Sequence, residues 1–157
     1  MRAGFRSVGW GVVVAAVVVA AAGCPRADRG TTPRGHNHPD AGPNGGTLVE
    51  WGGQYHAEFT VDHEKQTTVV YVLDSSAKKA PALDPAQITD VVVSITNVTP
   101  PVRITLQHDA GKSGPKGIAF VGTHEALKEV KEYKGNISGK VAGKEVSGDF
   151  EEKPHDH

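Results

Sequence analysis

One cysteine in 157 residues rules out an intrachain disulfide, so the fold has to rest on an apolar core. A lone thiol in an oxidising compartment is a liability unless something occupies it. A basic excess is also missing. Seventeen Lys and Arg against 18 Asp and Glu leave a net charge of −1, which argues against a nucleic-acid partner held by a cationic face. No apolar run reaches the about 20 residues that a membrane-crossing helix needs. Catalytic signatures are absent as well: there is no nucleophile elbow, no His-Glu-x-x-His and no second cysteine. The carboxylates are scattered through turns and show no spacing that would turn two of them into one cleft. Ala110-Gly-Lys-Ser113 has the end of a phosphate loop, but Leu106 stands where that pattern requires its first glycine. These absences favour a non-enzymatic protein.

What is present begins with an export pattern. Arg2 and Arg6 give a positive start, Val8 to Ala22 is uncharged and apolar, and Ala21-Ala22-Gly23 places small residues directly before Cys24. This order reads as a secretory signal rather than a spanning helix. It resembles the bacterial lipobox, with Ala21 where Leu is favoured. The expectation is a signal peptide over residues 1–23, removed before Cys24, whose thiol then carries lipid. Acyl chains on that residue would hold a membrane firmly, at about 0.8 kcal/mol per buried methylene. The partner implied is a membrane, inner or outer, with the domain facing the periplasm or the exterior.

Residues 24–43 have almost no large apolar side chain and read as a Pro/Gly/His tether. Residues 44–150 read as the folded domain, and 151–157 as a charged tail. Gln54 to Val61 alternates, with Tyr55, Ala57, Phe59 and Val61 on one face and His56, Glu58 and Thr60 on an exposed polar one. Thr67 to Leu73 is β-prone by its β-branched and aromatic content. Further strands are expected at Thr47 to Glu50, Asp90 to Val98, Val102 to Gln107 and Ile118 to Gly122. A hairpin is expected about Ala142-Gly143. Thr123 is placed to cap one short helix, His124 to Val130. The fold class is all-β: a small antiparallel sandwich or open barrel of about seven strands with one short helix.

Three of these segments carry a resemblance. Gly45-Gly46-Thr-Leu-Val-Glu50, then Gln54-Tyr-His-Ala-Glu-Phe59, then Val69-Val-Tyr-Val-Leu-Asp74 resembles the small β-module of envelope proteins written GG…VEL…YHAEL…VYLLD. That module occurs near the N-terminus of some periplasmic adaptor subunits of heavy-metal efflux pumps, and also as small lipoproteins with His-rich ends. The likeness is clear over residues 44–74 and holds only in outline over 90–150. It implies a β-rich envelope module near metal handling. The frequent form has His before the glycine pair, where this chain has Asn44. If that His serves a metal in relatives, His36 or His38 has to substitute here.

Histidine placement points the same way. His36-Asn-His38-Pro-Asp40 precedes the domain and His155-Asp156-His157 ends the chain. In extended backbone, residues two apart point to the same side, so each pair brings two imidazoles towards one ion, with Asp40 or Asp156 nearby. Neutral imidazole suits zinc and copper. His56 would add a ligand if a tail folded over its strand. His63, His108 and His124 read as ordinary surface residues. The competing reading is a module that docks an envelope protein partner, with incidental histidines.

Overall fold

The computed structural model describes residues 41–152, which form an antiparallel β-sandwich. The strands are β1 (Thr47–Trp51), β2 (Tyr55–Asp62), β3 (Thr67–Leu73), β4 (Ile88–Ile95), β5 (Val102–Thr105), β6 (Gln107–His108), β7 (Ile118–Thr123), β8 (Lys134–Val141) and β9 (Lys144–Glu151). One sheet has the order β1-β2-β3-β7-β6, the other β5-β4-β8-β9. The described residues form nine strands, where about seven were expected. Part of the difference is that Val102 to His108 is one run that changes sheets. β5 pairs with β4, Leu106 N–H donates to the Val91 carbonyl at the crossing, and β6 pairs with β7. The corner requires Gly122, where a Cβ would lie 2.4 Å from Leu106 Cδ2 and 2.7 Å from Ile104 Cγ2.

The expected hairpin is present. Ala142 and Gly143 both have positive φ, 50° and 78°, the primed-turn geometry that matches the twist of β8 and β9. The expected helix is not. Residues Glu125–Lys128 form a 3₁₀ turn, as do Pro85–Gln87. Thr123 is committed to the ladder opposite Thr67, so His124 caps the turn instead. The Tyr133 hydroxyl lies 2.7 Å from the Ala126 carbonyl, the acceptor that an α-helix would offer to Val130. The turn therefore stops at Lys128.

Between the sheets lie Trp51, Phe59, Val70, Val72, Val93, Ile95, Ile137 and Phe150, all buried. Burying each such side chain contributes about 1.5–3 kcal/mol, which lets the domain dispense with a disulfide. The Trp51 indole N–H crosses the core to the Ile137 carbonyl, 3.1 Å away. The second face of β2 is not the solvated face expected from its alternation: His56 is 7% exposed and Glu58 0%. The residues just before β1 cover Glu58. His56 lies under the connection that follows β3, its Nδ1 3.1 Å from the Asp74 carbonyl.

Candidate functional site

The ladder takes in Ala41, which bridges to Thr47, so three residues assigned to the tether pack with the domain. Gly42 N–H donates to the Gly46 carbonyl and Gly45 N–H to the Gly42 carbonyl, closing a tight turn. Glu58 is the post it wraps. Its carboxylate accepts from Asn44 N–H and Gly46 N–H through Oε1 and from the Asn44 side-chain amide through Oε2, each at 2.8 Å. Only glycine fits at position 42, because a Cβ there would lie 2.3 Å from the Glu58 carboxyl carbon. The Gly-Gly and Tyr-His-Ala-Glu segments of the motif are thus two halves of one latch, and Asn44 serves it directly.

The latch fixes where the chain enters the domain, and β9 fixes where it leaves. A Cβ on Gly148 would lie 2.1 Å from the Glu50 carbonyl oxygen, and one on Gly52 would lie 2.3 Å from Val146 Cγ1. β1 and β9 therefore lie side by side and run antiparallel, with Glu50 beside Gly148 and Gly52 beside Val146. The same offset sets Thr47 level with Glu151. An independent contact agrees: Phe59, the register partner of Thr47, stacks on Phe150 with ring centroids 4.3 Å apart. The two ends of the described chain leave from the same end of the sandwich.

That end also carries the β2–β3 turn, the 3₁₀ turn after β7 and the start of β8. His124 N–H donates to the Gln66 carbonyl, and Glu152 N–H to the Tyr133 carbonyl. Tyr133 is fully buried, and its one hydroxyl proton is shared between the Ala126 and Glu129 carbonyls at 2.7 and 2.8 Å. Burial, then the charges of Glu129 and Glu152, push its pKa up to about 12.

Two titratable side chains flank Tyr133. The His63 ring lies at 6.0 Å between centroids and 28° between planes, with Nδ1 2.9 Å from the Leu127 carbonyl. A carbonyl only accepts, so Nδ1 carries the hydrogen and, in the neutral ring, Nε2 carries the lone pair. Glu152 has its Oε2 enclosed and without a hydrogen-bond donor. Burial raises its pKa, an effect opposed by the nearby His63 and by the Tyr133 backbone bond.

The other histidines are used by the fold. His124 Nδ1 accepts from Ala126 N–H at 3.1 Å, so in the neutral ring its hydrogen sits on Nε2. His108 Nε2 is 3.2 Å from Ser113 Oγ, a pairing with the look of a nucleophile and its base. However, the Ser113 hydroxyl donates to the Asp109 carbonyl at 2.8 Å and accepts from Ala119 N–H at 2.9 Å, bracing its loop.

Of the residues singled out from the sequence, Cys24, His36, His38, Asp40, His155, Asp156 and His157 lie outside the described residues. His56 pairs in register with Glu50, at the end of β2 away from Thr47. Among the described residues no set of three His, Cys, Asp or Glu side chains is grouped to hold a metal. Sequence reasoning read His63 as an ordinary surface residue and did not single out Glu152; the fold brings both to the tail-bearing end. On the outer face of the second sheet a polar cleft is lined by Arg103, Asn136, Ser138, Lys140, Glu145 and Ser147, with Lys140 paired to Asp90 at 2.8 Å. Comparisons with family models, with curated proteins and with solved structures find no match.

Proposed function

We propose that this chain is a lipid-anchored envelope protein that binds a transition metal ion, zinc or copper(II), by reversible coordination rather than catalysis. Cys24 carries the lipid. His36, His38, His155 and His157 supply imidazoles, and Asp40 and Asp156 supply negative charge.

The observation that supports this reading is the shared end from which both chain ends leave. His38 stands three residues before Ala41, and His155 three residues after Glu152. Extended chain spans about 3.3–3.6 Å per residue, so the Cα of each first histidine stays within about 10–11 Å of its exit point. Two pairs starting from one end of the sandwich can share one ion, whereas pairs starting from opposite ends could not. His56, three residues along β2 from Phe59, sits about 10 Å further off and takes no part. The resemblance to modules of metal-efflux adaptors agrees with this assignment.

The test is calorimetric titration of the full chain in detergent with zinc and with copper(II), beside variants with His36 and His38, or His155 and His157, changed to Ala. One ion per chain, bound at micromolar or tighter affinity and lost when either pair is removed, is the expected result. Each pair retaining its own weak ion would refute a shared site. Binding weakens below about pH 6, where imidazole is protonated and cannot ligate. Mass spectrometry of the native protein is expected to show acyl chains on Cys24, and a free thiol there would refute the anchor.

A further inference from the structure

We propose that the polar cleft on the outer face of the second sheet binds a sugar acid, a small polyol with one carboxylate, and that the Arg103 guanidinium holds that carboxylate. This site is separate from the metal-binding reading and stands or falls without it.

Four observations carry it. First, the cleft has the size of a small-ligand site, about 600 Å³. Short side chains set its floor: Val92, Ser138 and Ser147 lie opposite one another on β4, β8 and β9. Arg103 on β5 lines it too, as do Lys140 and Glu145, register partners on β8 and β9. Second, the fold neutralises one of the two cations that line the cleft and leaves the other. Lys140 is 2.8 Å from the Asp90 carboxylate, whereas no ion pair or hydrogen bond joins the Arg103 side chain to any described residue. A guanidinium presents its N–H groups as a fixed fork that matches a carboxylate through two parallel bonds. Third, the neutralising group is placed by an irregularity of β4. From Thr89 to Val92 is three steps along β4, against two along β8 from Lys140 to Ser138, and Asp90 has a φ of 55°. Such a bulge re-aims a side chain, here leaving Asp90 exposed beside Lys140, so the free positive charge is confined to Arg103. Fourth, the other groups suit hydroxyls. Ser138 and Ser147 both donate and accept. The Asn136 amide nitrogen donates to Asp149 at 2.8 Å, which leaves its carbonyl oxygen to accept. Asp90 and Glu145 repel a polyanion. β4 and β8 are interior strands with ladders on both sides, so the floor offers no free edge to a peptide main chain. No aromatic ring lines the cleft, so a neutral sugar gains no stacking, and the carboxylate decides binding.

Amide chemical-shift titration of the full chain in detergent tests this with four probes: glucuronate, galacturonate, glucose and a capped aspartyl dipeptide. The expected result is saturable millimolar binding of at least one sugar acid, with shifts centred on Val92, Arg103, Asn136 and Ser138, and glucose weaker by about tenfold or more. Arg103→Gln removes the charge and is expected to abolish binding. Arg103→Lys keeps the charge but loses the fork, and is expected to weaken binding about tenfold. Both variants should melt with the wild type, because the Arg103 side chain has no bond within the fold to lose. Absence of saturable shifts with both sugar acids, glucose binding as tightly as they do, or wild-type affinity in either variant would overturn the inference. Tighter binding of the dipeptide at the same residues would overturn it in favour of an acidic peptide.

Discussion

Two carboxylates, the buried Glu58 and the half-buried Glu152, lie near the same end of this sandwich in opposite circumstances. Glu58 is wholly enclosed and accepts three N–H donors, all from the turn that leads the chain into β1. Glu152, one residue beyond β9, has an enclosed oxygen with no donor and a pKa raised by its burial. The first carboxylate is satisfied by the fold and belongs to its stability. The second is a local cost that packing does not explain, and such a cost is a reason to look for a ligand.

The comparison breaks first at Glu58. Glu58→Ala takes the acceptor from one buried and two part-buried N–H groups and is expected to cost about 3 kcal/mol, read by denaturant unfolding. Amide exchange at Gly42 and Gly45 should quicken in the same variant, because their bonds close the turn that Glu58 holds. A loss within about 0.5 kcal/mol would mean that the latch is ornamental.

A smaller effect is expected at Tyr133, the residue between the two flanking groups. Tyr133→Phe removes a shared hydrogen bond and should cost about 1 kcal/mol. Its pH dependence has a definite sign. The folded pKa is raised to about 12 from the usual 10, so the contribution is complete below pH 10 and is lost as pH climbs from 10 to 12. Alkaline unfolding curves should show that loss in the wild type and not in the Phe variant.

The smallest effect is the most discriminating. Because burial raises the Glu152 pKa, an ionised carboxylate there works against the metal-free fold at neutral pH. The stability gained from its raised pKa is present below the unfolded value and disappears as pH rises through the folded one. Glu152→Gln should therefore melt at the wild-type temperature or slightly above it without metal. A clear drop would show that this carboxylate is structural like Glu58.

Local pattern made the strands and the Ala142-Gly143 hairpin legible, because period-two alternation and a two-residue turn with positive φ are properties of short segments. The same pattern misread β2. Alternation distinguishes its two faces, but the covering of His56 and Glu58 comes from the turn before β1 and the connection after β3. The helix expected over His124 to Val130 failed for a similar reason, since its stop comes from the hydroxyl of Tyr133. At the site, the His-x-His pairs are visible in the sequence because their spacing is local. Part of the rest was within reach: successive hairpins reverse the chain, so the β2–β3 turn holding His63 has to sit at the end where β1 begins. Nothing local says that β9 lies along β1, or that Glu152 arrives at that same end. That placement depends on the close approach of Gly148 to Glu50 across the two sheets.

X-ray absorption on the zinc-loaded full chain tests the central claim most directly. A four-coordinate nitrogen and oxygen shell at about 2.0–2.1 Å with the scattering signature of imidazole is expected, with fewer imidazoles when His36 and His38 are changed to Ala. An all-oxygen shell, or an imidazole count unchanged by those substitutions, would contradict that claim.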